Sequence, residues 1–257
     1  MPADHDHRRT PPVAALDPLA DHVEALRGEG RTRILVGIAG SPGSGKTTLA
    51  RALVDRINAR EPGTAAYLPM DGFHLANSTL DRLGLHDRKG AIETFDGWGF
   101  VALLDRLHTE TDHVVYAPSF ERRVDEGVAG EIAIEPEATV VVVEGNYLLV
   151  DREPWSMIRD RLEAAWFCAA PATERELRLI DRHTRHGRTV AAATAWARDV
   201  DGANAILIEA SSHRADLVVS GITGEVLPER GAGGPPEGSP QRPGTDGRAV
   251  GWQAEQR

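Results

Sequence analysis

Between residues 34 and 220, stretches of unbroken apolar character alternate with stretches whose apolar residues recur every three or four positions. The unbroken runs ILVGIAG, AAYLPM, TVVVVEG, AAWFCAA and ADLVVSG read as buried strands. The periodic segments TLARALVDRINAR, STLDRLGL, GWGFVALLDRLHTE, PWSMIRDRLEA, ATERELRLIDRHTRHG and VAAATAWARDV read as helices. HVVYAPSF and EIAIEP form a further strand pair. Strands that are apolar on both faces belong in a parallel sheet covered on both sides, because each face must be shielded from water. Strands and helices in alternation predict a doubly wound α/β domain, placed here at residues 16–227. Residues 1–15 and 228–257 are read as tails, the second rich in Pro and Gly with almost nothing to bury.

One strand-to-helix junction changes the picture from architecture to chemistry. Gly40-Ser41-Pro42-Gly43-Ser44-Gly45-Lys46-Thr47 matches the phosphate-binding pattern G-x-x-x-x-G-K-[ST] at every specified position. The glycines turn the backbone so that successive N–H groups aim at phosphate oxygens, and the following helix adds its positive N-terminus. Lys46 reaches the β- and γ-phosphates, the Thr47 hydroxyl holds Mg²⁺, and Thr48 continues the first helical turn. A buried strand enters the loop and an amphipathic helix leaves it, so a nucleoside triphosphate is the expected ligand. Glu144 ends the strand TVVVVEG, where ligands of open α/β sheets gather, and is a second candidate for holding Mg²⁺. Asp71, in LPMDGFHL, follows the second strand and is placed near the phosphate loop. A carboxylate there can take the proton of a substrate hydroxyl; otherwise Asp-Gly is an ordinary turn pair. His74 reads as a binding or packing residue rather than a base.

Composition adds constraints. The 257 residues are 41% apolar and 26% charged, ordinary for a globular protein, with no apolar run near the length that crosses a bilayer. A net charge of −10 argues against nucleic acid as partner, but not against a small anion met by locally clustered cations. Nearly every basic residue is arginine; only Lys46 and Lys89 are lysine, marking two places where a compact point charge is required. The single cysteine, Cys168, lies in an apolar strand and reads as core. These features favour the cytoplasm, with no membrane partner.

Several motifs together resemble a known family. MDGFH, LGLHDRKGAIETFDGWGFVALLDRL, APSF and VVVVEGNYLL are similar to P-loop kinases of the pantothenate kinase, uridine kinase and phosphoribulokinase family. RKGAIETFD resembles the pantothenate kinase form, and EGNYLL followed by PW resembles a nucleoside/nucleotide kinase-like branch, some of whose members are linked to fructose uptake. The resemblance implies a P-loop fold with a helical lid, ATP and Mg²⁺ as co-substrates, and Asp71 as catalytic base. It also implies an acceptor pocket formed by Lys89 and the loop through Phe95, with Asn146 beside Glu144. Dimers are common among such relatives, and the oligomeric state is left open. One departure stands out, since Ser119-Phe120-Glu121-Arg122-Arg123 replaces the relatives' Tyr-bearing segment. Arg122 and Arg123 either meet a carboxylate or phosphate on the acceptor or are solvated loop charges.

Arg175, Arg178, Arg182 and Arg185 recur on one face of the helix after AAWFCAA, opposed by Leu177 and Ile180, with Arg188 following. Arg182 and Arg185 are the candidate lid arginines, Arg178 and Arg188 the alternatives, because phosphoryl transfer needs positive charge on the departing phosphates. Asn204 resembles a position near the adenine site of related kinases and equally suits a helix cap. The sequence thus favours a small-molecule kinase acting on a hydroxyl of a nucleoside-, pantothenate- or sugar-like acceptor. The alternative is a nucleotide-dependent ATPase or switch acting on a partner, which has no need of Asp71 together with a Lys89-bearing loop.

Overall fold

β1 (Ile34–Ala39) is buried at all six positions, and so is β5 (Val140–Gly145) beside it. The two are parallel, with Val36 opposite Val142 and Ile38 opposite Glu144. In this computed structural model, which describes residues 10–28 and 32–228, they form the middle of a five-stranded parallel sheet. The order is β2 (Ala65–Pro69), β5, β1, β6 (Ala164–Ala169), β7 (Leu217–Ser220). Alternate residues of one strand serve opposite faces. Leu35, Val141 and Val143 pack with α4 (Gly97–Thr109) and the segment from Tyr147 to Leu162. Ile34, Val36, Ile38, Val140 and Val142 pack with α1 (Val13–Arg27) and α2 (Lys46–Arg60). The predicted parallel sheet with helices on both faces is therefore the observed architecture.

Around this frame stand α3 (Asn77–Leu83), the antiparallel hairpin of β3 (Val115–Glu121) and β4 (Glu126–Ile134), and a helical arm. The arm comprises α5 (Ala172–Arg185), α6 (Val190–Trp196), a π-turn over Ala197–Asp201, and α7 (Gly202–Ala210). Asp96 caps α4 by accepting from the Gly99 N–H at 2.8 Å, which fixes where that helix begins.

Three details depart from the sequence expectation, and the strand order is a fourth feature the sequence did not express. PWSMIRDRLEA forms two 3-10 turns, Trp155–Met157 and Arg159–Arg161, not a helix. There the Arg161 and Arg159 side chains donate to Met157 O and Leu162 O, at 2.7 and 3.2 Å, and Trp155, Ile158 and Leu162 anchor the segment in the core. α1 begins at Val13, inside the stretch read as a tail, and buries Leu16, Leu19, Ala20 and Val23 at helical spacing. α7 is an additional helix. Finally, β2 does not adjoin β1; β5 lies between them, so Asp71 approaches the phosphate loop across Glu144. The proposed tails at 1–9 and 229–257 lie outside the described residues.

At the opposite end of the sheet, Arg33 is 3% exposed and has only backbone carbonyls as partners. It donates to Ala138 O (2.8 Å), Glu135 O (3.0 Å), and Leu107 O and Glu110 O (both 3.3 Å). Two of these terminate α4, where a cation meets the negative end of the helix dipole. No described helix is long and apolar enough to cross a membrane.

Candidate active site

The loop between β1 and α2 wraps under Lys46. Gly45, which precedes it, has φ 101°, a left-handed conformation that side chains with a Cβ resist, and a Cβ there would lie 2.6 Å from Gly221 O. The Ser44 hydroxyl is buried with no hydrogen-bond partner. Arg178 Nη1 lies 3.2 to 3.3 Å from Gly43 O, Ser44 O and Gly221 O, tying α5 to the loop and to the end of β7. The Ser41 hydroxyl donates to Glu209 of α7 at 2.7 Å. The loop carbonyls are thus engaged from behind. Cys168 is buried beneath the same loop, its Sγ 3.6 Å from Ser44 O, and burial pushes its thiol up to about 11. It is packing material, as expected.

The C-terminal ends of β5 and β2 bring the carboxylates. Glu144 is buried, and accepts from the Thr47 hydroxyl at 3.1 Å and the Tyr67 hydroxyl at 2.7 Å. Burial raises its carboxyl above the ordinary value, with Lys46, Tyr67 and Thr47 opposing and Asp71 reinforcing the rise. Tyr67 was not among the sequence candidates; its alternate position on a half-buried strand gave no sign that it faces Glu144.

Asp71 lies in a 3-10 turn, Met70–Phe73, directly after β2. Burial alone raises its carboxyl, but the charge of His74 once that ring is protonated at low pH, with that of Lys46, Arg122 and Arg182, outweighs it and holds the group below the usual carboxylate range. The turn is wedged against β3, because a Cβ on Gly72 would lie 2.2 Å from Pro118 O. His74 Nδ1 lies 2.7 Å from Asp71 O, and its ring packs on Phe95 and Phe120, with centroids 4.0 and 4.6 Å away.

A cavity of about 410 Å³ joins these parts. Lys46, Thr47, Asp71, His74, Lys89, Phe95, Arg122, Asn146 and Arg182, all sequence candidates, line it. Glu144 is not among its lining residues, and Arg123, Arg185 and Asn204 lie outside it as well. Arg123 is 89% exposed and pairs with Glu121. Arg185 pairs with Asp181, one helical turn away on the outer side of α5. Asn204 donates to Gly90 O at 3.2 Å, a carbonyl also held by the Tyr147 hydroxyl at 2.6 Å, so it braces the loop after Lys89 from α7. Arg175, Arg178 and Arg182 turn inward from α5, while Leu177, read as opposing them, is 64% exposed and Leu179 is buried instead. Backbone carbonyls of the phosphate loop take the place of apolar partners on that side.

The lysine expected in the acceptor pocket has a local task as well. Lys89 Nζ is hydrogen-bonded to Asn77 Oδ1 (2.6 Å), to Asp125 Oδ2 (2.8 Å) and to Asp125 O. It joins the segment around Lys89 to Asn77 and to the hairpin turn. Sequence reasoning also missed His183 and Asp201, which line the cavity and share a 2.8 Å contact from Nε2 to Oδ2. The π-turn that places Asp201 there has no periodicity signal, although such turns recur at functional sites.

The comparisons with known proteins agree with this geometry. A protein of Schizosaccharomyces pombe, provisionally named a uridine kinase, is 38% identical over 152 residues, which cover 57% of this chain and 64% of that protein. A pantothenate kinase of Nocardioides is 32% identical over 120 residues, 46% of this chain and 36% of that protein. This chain therefore matches less than two thirds of the length of either relative. A crystal structure from Silicibacter sp. TM1040, provisionally titled a fructose transport system kinase, has a TM-score of 0.73 at 39% identity, covering 79% of this chain and 98% of that one. The profile of the phosphoribulokinase / uridine kinase family matches residues 35–225. A parallel sheet carries the phosphate loop at its centre, Lys46 and Asp71 line one cavity beside it, and the family profile spans most of the chain: the chain belongs to the phosphoribulokinase / uridine kinase family of P-loop kinases.

Proposed function

We propose that this kinase moves the γ-phosphate of ATP to a hydroxyl of a small molecule held in the 410 Å³ cavity. The observation that carries the reading is that Lys46 and Asp71 line one cavity together with Thr47 and Arg182. The loop N–H groups, the N-terminus of α2 and Lys46 grip the β- and γ-phosphates. Asp71 takes the proton of the attacking hydroxyl as its oxygen bonds to the γ-phosphorus and the bond to the β,γ-bridging oxygen breaks, releasing ADP. A carboxylate kept ionised by surrounding cations is suited to that task. Arg182 offsets the charge that develops on the departing phosphates.

The residues fit Mg²⁺. Thr47 and Glu144 present only oxygen donors, and Glu144 is a buried carboxylate whose charge burial disfavours, so a divalent cation there would relieve that cost. When bound, Mg²⁺ neutralises phosphate charge; the Thr47 hydroxyl and Glu144 would hold it, and Tyr67 orients Glu144. The test is ADP release with Mg²⁺ and ATP, alone and with a panel of hydroxyl compounds. One compound should raise release well above the ATP-only rate, and Asp71→Asn should keep ATP binding while losing transfer. Equal turnover with and without every acceptor would refute the proposal.

A further inference from the structure

Charge at the acceptor end of the cavity is incompletely matched. Lys89 is spent on Asp125 and Asn77, and its side chain is only 9% exposed. Arg188 lies over the Trp196 ring, 3.9 Å from its centroid, on the helical arm. Arg182 belongs to that same arm, facing the phosphate loop. Arg122 differs from all of these. It reaches the cavity from the end of β3, next to Phe120, and makes no hydrogen bond or ion pair among the described residues. Its neighbour Arg123 behaves as a solvated loop charge does, pointing outward and pairing with Glu121. Arg122 shares the cavity with Asp71 without forming an ion pair with it, which leaves both groups open to a ligand.

Three other polar groups at this end offer acceptor atoms. A carbonyl can only accept, so the 2.7 Å contact to Asp71 O means that His74 Nδ1 carries the proton. Burial lowers the affinity of that ring for a second proton, so Nε2 keeps a lone pair. Asn146 Oδ1 is buried without a partner. With Asp71 this makes three acceptors and one cation around an aromatic shelf of Phe95 and Phe120.

From this set we infer that the acceptor is a polyhydroxylated anion, a hydroxy acid or a sugar phosphate, whose hydroxyls donate to Asp71, His74 and Asn146 while its carboxylate or phosphate pairs with Arg122. The inference rests on the kinase reading above. Arg122 is itself exposed at the hairpin turn, so water serves it until a ligand binds; a neutral nucleoside or free sugar satisfies the three acceptors but gives this cation at the cavity no partner, whereas an anion pairs with it. The anion's charge pairs with Arg122, which makes no bond to the reacting hydroxyl, so it contributes to binding and orientation rather than to the chemical step.

The experiment uses matched acceptors with Mg²⁺ and ATP. Hydroxy acids are compared with their amides, sugar phosphates with their parent sugars, and neutral nucleosides serve as controls. The anionic member of one pair should exceed its neutral partner in kcat/KM by about 100-fold, and the pair that responds tells carboxylate from phosphate. Arg122→Gln should raise the KM of that acceptor by roughly 10- to 100-fold and leave the KM of ATP unchanged, with Arg122→Lys recovering part of the loss. Arg123→Gln, at a position outside the cavity, should change neither. Equal use of a neutral acceptor, or an Arg122→Gln enzyme with unaltered acceptor KM and melting temperature, would overturn the inference and leave the kinase intact. Failure of every compound to raise ADP release from an ATP-binding protein would instead overturn the kinase reading, and this inference with it.

Discussion

Gly72→Ala tests how tightly Asp71, the proposed base, is placed. The added Cβ would meet Pro118 O at 2.2 Å, Pro118 C at 2.5 Å and Ser119 N at 3.0 Å, all backbone atoms of β3. Real Cβ atoms essentially never approach backbone closer than 3.0 Å, so the Met70–Phe73 turn or β3 must move by roughly 0.8 Å. β3 is held by its ladder to β4 and by Ala117 and Val115 in the core, so the turn is the part that yields. That turn carries Asp71. A misplacement of about 1 Å at a reacting group can cost about 100-fold in rate, equivalent to about 2.7 kcal/mol of barrier. Overpacking alone should cost about 1–3 kcal/mol of stability. The assay is acceptor-dependent ADP release at saturating ATP, with ATP affinity measured separately by a fluorescent analogue and melting followed in parallel. The expected result is a folded protein that binds ATP normally with kcat reduced about 100-fold. A Gly72→Ala enzyme within twofold of the parent would refute the argument that the contact with β3 sets the position of Asp71.

Two further outcomes follow from buried charge. Asp71 has its carboxyl below the ordinary value of about 3.9, so it should remain ionised from neutral pH down past pH 5. Its depressed value stabilises the fold above the unfolded-state pKa, and that contribution disappears as pH falls through the folded-state value. A carbon-13 titration of the Asp71 carboxyl checks this, and a midpoint above about 5 would contradict it. Arg33→Met should strand four carbonyls in the core, costing about 3 kcal/mol and lowering Tm by roughly 6–12 °C with little change in ATP affinity, measurable by calorimetry; an unchanged Tm would show those hydrogen bonds to be dispensable.

The fold and the nucleotide end of the site were legible because their signals are local. Apolar runs such as Val140–Val143 can only be buried on both faces, and Gly40–Thr47 has few uses other than turning backbone amides toward an anion. The acceptor end was legible only in part. The spacing of Arg175, Arg178, Arg182 and Arg185 placed them on one helix face, but the chain could not say which would touch the loop carbonyls, the cavity or solvent. Helix rotation and length along the neighbour decided that, giving Arg178 to the loop, Arg182 to the cavity and Arg185 to Asp181. Asn204 was likewise sent toward Gly90 by the position of α7.

What this sequence settled unaided is whatever one element can express: which strands are buried twice, where a phosphate is cradled, and which carboxylates end strands. Tertiary structure decided what requires two elements to meet. The insertion of β5 between β1 and β2 brought Tyr67 onto Glu144, the hairpin absorbed the charge of Lys89, and the π-turn set Asp201 against His183. Side-chain periodicity encodes direction relative to one backbone, whereas a contact depends on the relative placement of two, and no local pattern carries that information.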